Sequence, residues 1–436
     1  MNAPSDTPFL PDSYRSRIAD RLLSAALQRT GAVQILGPKW CGKTTTAAQV
    51  SRSTVFFQDP DTREANLRIA ADKPSLLLQG DKPLLLDEWQ DAPMMWDAVR
   101  FAVDRNNAVG QFILTGSTVA KSDEIRHSGT GRFARVRMRT MSLYESGESD
   151  GSISLKALAD SKEVEGHSPL SLEDMAWLIA RGGWPAAVTR ATHQTTSQTT
   201  GALALANDYV ESIIESDSSR VDGIEKNPRR VRLLMRSLAR NESSEAAMTT
   251  LQADMKADDG KVSTNTIAIY LNALRRLYVV EEQEAWAPAV RAKTPIRTSP
   301  IRRYCDPSIP AALLRFTPAK MLGDFNTFGL LFESLCIRDL RTYAEAVDAS
   351  VWHYRDARGL ECDAIVEFGD GTWGAIEVKL QNSQVEKAAA NLQKINEVVR
   401  SQHGGPASFL AVLTAGGVGY RRSDGIYLIP IGCLRP

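Results

Sequence analysis

Between Ala32 and Arg139, short apolar runs alternate with stretches whose apolar residues recur at helical spacing; AVQIL, TVFF, KPLLLDE, GQFILTG and RVRMR are the runs. Runs that are apolar at nearly every position predict strands covered on both faces, so this segment predicts an α/β unit around a parallel sheet. From Glu145 to Glu165 the chain turns polar and rich in Gly, Ser and Asp, and reads as a linker or surface excursion. Helical patterns such as SLEDMAWLIARGG then dominate to about residue 282. Among them, STNTIAIYLNALRRLYVVEE opens on a Ser/Thr cap, keeps helical spacing and turns β-branched at Val279 and Val280, which predicts a helix passing into a strand in a small winged-helix-like unit. Beyond the connector PAVRAKTPIRTSPIRR comes a helix around GLLFESLCIRDLRTYA. The strands SVWHYRD, LECDAIVEF and TWGAIEVKL follow, then an amphipathic helix, VEKAAANLQKINEVVR, and a strand, SFLAVLTAG. The pattern therefore predicts an α/β unit over residues 1–150, a helical and winged-helix-like middle over 151–290, and a second α/β domain over 291–436.

Composition narrows the class. With 436 residues, 43% hydrophobic and 24% charged, the chain is an ordinary multidomain globular protein with material for several cores. Its 52 Lys plus Arg balance 52 Asp plus Glu, so any basic footprint for nucleic acid has to be local. The five cysteines, Cys41, Cys305, Cys336, Cys362 and Cys433, are scattered and form no CxxC pair, which predicts reduced thiols and a cytoplasmic setting. No run of about 18 apolar residues occurs and the N-terminus lacks an apolar export region, so neither membrane nor secretion is expected.

The chemistry begins at Gly37-Pro-Lys-Trp-Cys-Gly-Lys-Thr44, which fits GxxxxGK[ST] and stands between a predicted strand and a predicted helix. Glycines let the backbone N–H groups and the helix N-terminus face phosphate oxygens, so Gly37, Pro38, Cys41, Gly42, Lys43, Thr44 and Thr45 are the expected phosphate cradle. Lys43 would reach the β- and γ-phosphates, and the Thr44 hydroxyl would ligate magnesium. Forty-three residues on, the strand PLLLDE ends in Asp87, a second magnesium partner, and Glu88, which would polarise the attacking water. At the end of FILTGST, Thr115 and Ser117 offer hydroxyls to position that water, although a plain turn explains them as well. Arg132 is the candidate arginine finger, acting in its own subunit or a neighbour's; its alternative is a surface arginine beside an edge strand. ATP and magnesium are the expected cofactors.

A second acidic set lies late in the chain. If LECDAIVEF and TWGAIEVKL pair across the turn GDGTW, Asp363 comes near Glu377 and Lys379, with Glu333 upstream on a helix. Paired carboxylates can hold a metal that activates water against a phosphodiester while a lysine neutralises the developing charge. The spacing alone leaves three outcomes open: a nuclease metal site at Asp363 and Glu377, a related fold used only for binding, or a salt-bridged strand pair. Arg291, Lys293, Arg297, Arg302 and Arg303 give the connector a basic run; Arg229, Arg230, Arg232, Arg236 and Arg240 form another, and Arg275 and Arg276 lie on the predicted helix before the strand. Either run could track a phosphate backbone or simply be a solvated face. DNA and a second copy of the chain are the partners these features put forward.

Taken in order, GPKWCGKTTTA, LLLDEWQDAP, FILTGST, GRFARVRMRTMSLYE, RGGWPAAV, YCDPSI, GLLFESLCIRDL, HYRDARGLECDAIVE and AIEVKL resemble prokaryotic AAA-type ATPases whose core is followed by a C-terminal domain of unknown function. The resemblance implies a P-loop ATPase, a winged-helix-like segment and a C-terminal region similar to PD-(D/E)xK nucleases, in which Glu333, Asp363, Glu377 and Lys379 match the acid and lysine positions. Two departures stand out: Trp40 and Cys41 inside the phosphate loop, and Arg302 and Arg303 where relatives often carry lysine.

Overall fold

The computed structural model describes residues 14–116, 130–190, 196–221, 223–256, 262–288, 299–401 and 405–436. Its contacts divide the chain into two units: Met1–Thr140 with Val221–Ile224 and Arg276–Tyr278, and Met141–Arg220 with Glu225–Arg275 and Val279–Pro436.

The first unit runs α1 (Ile18–Arg29), β1 (Ala32–Leu36), α2 (Lys43–Ala48), β2 (Ser53–Phe56), α3 (Arg63–Asp72), β3 (Leu84–Asp87), α4 (Met94–Asn106), β4 (Phe112–Thr115) and β5 (Phe133–Arg137). Its strands lie in the order β2-β3-β4-β1-β5, all parallel. Alternate side chains feed two cores: Ala32, Leu84, Leu86, Phe112 and Leu114 join Trp89, Trp96 and Val99 on one face, while Val33, Ile35, Leu85 and Ile113 join Leu23 and Ala26 on the other. Burial on both faces is why these strands read as unbroken apolar runs.

The second unit begins α5 (Leu143–Ser146), β6 (Ile153–Ser154), α6 (Leu155–Ala159) and β7 (Glu165–Ser168). Helices α7 (Leu172–Arg181), α8 (Pro185–Arg190), α9 (Thr196–Ser212) and α10 (Ser218–Arg220) follow, then α11 (Pro228–Arg240), α12 (Met248–Lys256) and α13 (Thr264–Arg276). An antiparallel ribbon, β8 (Val280–Gln283) with β9 (Ile301–Tyr304), comes directly after α13, so a helix does pass into a strand at Val279–Val280. Three more helices, α14 (Ser308–Leu313), α15 (Pro318–Gly323) and α16 (Phe325–Ala346), lead into β10 (Ala349–Arg355), β11 (Glu361–Phe368) and β12 (Trp373–Lys379). The chain closes with α17 (Val385–Ser401), β13 (Phe409–Thr414), β14 (Gly417–Arg421), β15 (Tyr427–Pro430) and β16 (Leu434–Arg435). Seven strands form the sheet β10-β11-β12-β13-β15-β14-β7. Helix α17 buries Ala388, Leu392 and Ile395 with Ile365, Ala375 and Val412 of that sheet.

The stretch expected to be a linker or surface excursion instead carries β6, in a two-stranded sheet with β16, and leads into β7 at the edge of the seven-stranded sheet. Strand β7 pairs with β14 at its edge and β6 pairs with β16. An edge strand needs no apolar alternation, and small residues are required for fit: a Cβ on Gly166 would stand 2.7 Å from Ser152 Oγ.

Motifs far apart in sequence meet at one buried guanidinium. Arg338 on α16 donates to Asp306 Oδ2 at 3.1 Å and to Asp339 Oδ1 at 2.8 Å. Asp306 also accepts from the N–H of Gly183 (2.9 Å) and from the Ser308 hydroxyl (2.6 Å), and that hydroxyl in turn accepts from Trp184 Nε1 (2.9 Å). Asp339 Oδ2 accepts from the N–H of Leu143 at 2.9 Å. No side chain fits at Gly183, where a Cβ would lie 2.1 Å from Met141 O. The phrases RGGWP, YCDPSI and CIRDL are thus one structural node. Removing one partner of such a buried pair leaves an uncompensated charge costing about 3–5 kcal/mol. Asp306→Ala should lower the thermal unfolding midpoint, followed by circular dichroism; an unchanged midpoint would show that the node does not support the fold.

Candidate functional site

In the first unit the polar groups gather where the parallel strands end. Beyond β1, Gly37 is extended to φ 156°, and a Cβ there would meet Met138 O at 2.1 Å, so the loop leaves the strand only as glycine. Gly42 (φ 100°) and Trp40 (φ 63°) are left-handed, and Trp40 is 51% exposed. Cys41 is fully buried, its thiol facing Met138 O at 3.8 Å. Buried Arg17 donates to the carbonyls of Cys41 and Arg139, both at 2.8 Å, and so clamps the loop to the chain after β5. No motif signals Arg17; only the folded loop assigns it a role. Lys43 Nζ lies against the carbonyls of Gly37 (3.1 Å) and Pro38 (2.7 Å), and Thr45 follows in the first turn of α2.

Beneath the loop, Asp87 Oδ1 accepts from the Thr44 hydroxyl at 2.7 Å and from the Thr115 hydroxyl at 2.6 Å. Register explains the meeting: Asp87 pairs with Thr115, and Thr115 with Ile35, so strands β3, β4 and β1 finish at one level. Thr115, expected to position water, here orients Asp87. Glu88 takes a left-handed backbone (φ 53°) and accepts a hydrogen bond from Gln90. Ser117 lies outside the described residues.

Of the two roles held open for Arg132, the structure speaks against the one in its own subunit. It immediately precedes Phe133, which pairs with Ala32 at the start of β1, so it stands at the opposite end of the strands from the loop. The five residues of β1 put roughly 15 Å between the two ends. Its guanidinium is bound to Asp104 at 2.7 Å, the surface pairing that was the alternative, and it cannot serve this loop in its own subunit. Arg137 and Arg139 are the arginines of β5 and its exit that lie toward the loop end; the Arg137 guanidinium stands over the Tyr278 ring at 5.3 Å.

The second unit gathers the later acids. Ala364 pairs with Ile376, which carries Asp363 opposite Glu377 one step further along β11 and β12. Lys379 Nζ bridges Glu377 (2.6 Å) and Asp363 (3.4 Å), and the N–H of Val378 donates to Asp363 at 2.7 Å. Asn391 on α17 donates to Glu377 at 2.7 Å. Glu333 on α16 is held by Arg303 at 2.6 Å. All four predicted residues line a cleft of about 600 Å³. Among the described residues no three His, Cys, Asp or Glu side chains form a metal-binding group.

Burial, and then Asp363 beside them, pushes the carboxyls of Glu333 and Glu377 up to about 7. Burial opposes the charge on Lys379, but Asp363 and Glu377 outweigh it and raise its pKa. Two of the connector arginines are engaged by the protein itself: Arg303 donates to Glu333, and Arg302 donates to Ala246 O at 2.7 Å. Arg275 pairs with Glu282, and Arg232 is forked onto Glu211 at 2.7 and 2.5 Å. Arg291, Lys293 and Arg297 lie outside the described residues.

Residues 29–147 match the AAA domain family, residues 172–320 a domain of unknown function (DUF8612) and residues 328–434 another (DUF4143). The uncharacterized proteins Rv2008c of Mycobacterium tuberculosis and Mb2031c of Mycobacterium bovis are each 23% identical over 367 residues, covering 83% of this chain and 73% of theirs. Among solved structures, the Walker-type ATPase of Pyrococcus abyssi aligns with 70% of this chain and 99% of its own at 12% identity and a TM-score of 0.44. AMPPCP-bound DnaA from Aquifex aeolicus aligns with 63% and 93% at 12% identity and a TM-score of 0.31. The match to the AAA domain family falls almost entirely on the first unit, whose five strands are all parallel. No helix among the described residues is long and apolar enough to cross a membrane.

The two raised carboxyls give a pH signature. Both take up protons on folding, so the stability tied to them is complete below the ordinary value of 4.5 and is lost as pH rises through about 7. The unfolding midpoint should therefore fall between pH 5 and pH 8 more steeply in wild type than in Glu333→Gln. Identical slopes would mean that Glu333 is not the source.

Proposed function

We propose that this protein is a magnesium-dependent ATPase whose nucleotide state is coupled to a DNA-engaging, nuclease-like site in its second unit. The observation that carries the first half is Asp87, held by the Thr44 and Thr115 hydroxyls directly beneath the phosphate loop. Two hard oxygen donors, the Thr44 hydroxyl and the Asp87 carboxylate, already stand within hydrogen-bond distance, a donor set that fits magnesium. Magnesium bound there would neutralise charge on the β- and γ-phosphate oxygens. Lys43 exchanges the carbonyls of Gly37 and Pro38 for phosphate oxygens, the loop N–H groups and the start of α2 hold the remaining charge, and Glu88 orients the attacking water. Lys43→Ala and Asp87→Asn should each abolish ATP turnover, measured as phosphate release, while leaving the unfolding midpoint within about 2 °C; turnover retained in both would dismiss this site.

For the second half, Glu333, Asp363, Glu377 and Lys379 lining one cleft support a phosphodiester-cleaving centre. Asp363 and Glu377 would hold a divalent cation that activates water, while Lys379 meets the developing negative charge. DNA incubated with Mg²⁺ or Mn²⁺ should be cut by wild type and spared by Asp363→Ala; cleavage undiminished in that variant would exclude the assignment. A second reading rests on the same cleft. Lys379 bridges both carboxylates, an arrangement that favours a second unit used for binding alone, with ATP acting as a switch. Slow turnover, intact DNA binding and no cleavage would select it.

A further inference from the structure

The acidic cleft has two walls of different character. One is the first part of α16, where Phe325 is 41% and Leu330 38% exposed, although both are large apolar side chains. The Phe325 ring leans on that of fully buried Phe328, with centroids 6.3 Å apart and planes within 21°, which sets its orientation. Between them Gly329 presents no side chain, and a Cβ there would meet nothing within 4 Å. The wall is thus an aromatic plate and a leucine flanking an open slot.

The other wall is a face of α17. Gln384 just before the helix, then Lys387, Asn391 and Lys394, are spaced at three, four and three residues, the period of one helical face, and all four line the cleft. Lys387 and Lys394 are exposed and stand two turns apart, about 10 Å along the axis. Asn391 ties this face to the acids through its bond to Glu377.

Ammonium groups spaced along a helix suit a chain of phosphates, but a duplex read through its backbone has no use for a half-exposed aromatic ring, because its bases are stacked inside. An unpaired base stacks readily on such a ring. We infer that the cleft takes single-stranded or frayed nucleic acid, with a base seated against Phe325 and Leu330 over Gly329 and the phosphates following Lys387 and Lys394. This rests on the assignment of Asp363 and Glu377 to a phosphodiester site, and names the form of nucleic acid that site accepts.

The test is fluorescence anisotropy of the full-length protein with labelled dT12 and with the duplex dT12·dA12, each in Ca²⁺ and in EDTA. Wild type should bind the single strand in Ca²⁺ at least about tenfold more tightly than the duplex. Phe325→Ala should weaken that binding roughly 5- to 150-fold. Gly329→Leu should weaken it comparably by filling the slot; its side chain enters open space on a helix, so an unchanged unfolding midpoint separates lost binding from misfolding. Lys387→Ala and Lys394→Ala should each flatten the salt dependence of binding. Equal or tighter duplex binding, no detectable single-strand binding, or wild-type affinity in Gly329→Leu would overturn the inference. So would polyglutamate competing as well as unlabelled dT12, which would make the lysines an acidic-peptide site. Selective single-strand binding without cleavage would retain this inference and remove only the nuclease chemistry.

Discussion

A strand sheathed on both faces leaves charge few places to stand, because an unpaired ion among packed side chains costs several kcal/mol. Both units obey this constraint. In the first, the central strands β3 and β4 carry apolar residues through their length and become polar only as they end, at Asp87 and Thr115. In the second, β12 and β13 run parallel while β11 runs against them, so Glu377 near the end of β12 meets Asp363 near the start of β11 at a shared edge. Strand direction thus decides where chemistry can be placed before any particular residue does.

The two edges are balanced differently. Asp87 is satisfied by two neutral hydroxyls, an arrangement that keeps one carboxylate oriented without cancelling its charge. The acidic cleft has four carboxyls: Glu361 is exposed, Lys379 is set between Asp363 and Glu377, and an arginine holds Glu333. Burial and crowding there favour protons on Glu333 and Glu377, and the same imbalance is what a divalent cation would relieve. Arg303 and Gln283 bring the β8–β9 ribbon into this balance: Arg303 grips Glu333, and Gln283 donates to the backbone carbonyl of Asp363 at 2.9 Å. The helical middle of the chain is therefore part of the scaffold of the cleft.

What could be seen in the sequence follows from locality. Period and spacing depend on neighbours along the chain, so the five strands of the first sheet, the GxxxxGK[ST] loop, the acid pair ending β3 and the facing of Asp363 with Glu377 across a short turn were all legible. Edge strands escaped, since β6 and β7 show no apolar alternation and are held by partners more than 200 residues away. Charge alone also misled. Arg302 and Arg303 left a phosphate track and a solvated face both open, yet the fold turns the two side chains inward onto protein oxygens.

The amino-acid order by itself determined the GxxxxGK[ST] loop, its strand-to-helix setting and the list of acids that end or flank strands, because each depends on residues within one or two elements. Only the tertiary structure decided which charged groups face one another. Register sent Arg132 to the far end of its strand, folding gave Arg17 the task of clamping the loop, and packing gathered RGGWP, YCDPSI and CIRDL around Arg338. Such long-range pairings leave no periodic trace along the chain, since what holds them is the cost of leaving a buried charge without a partner.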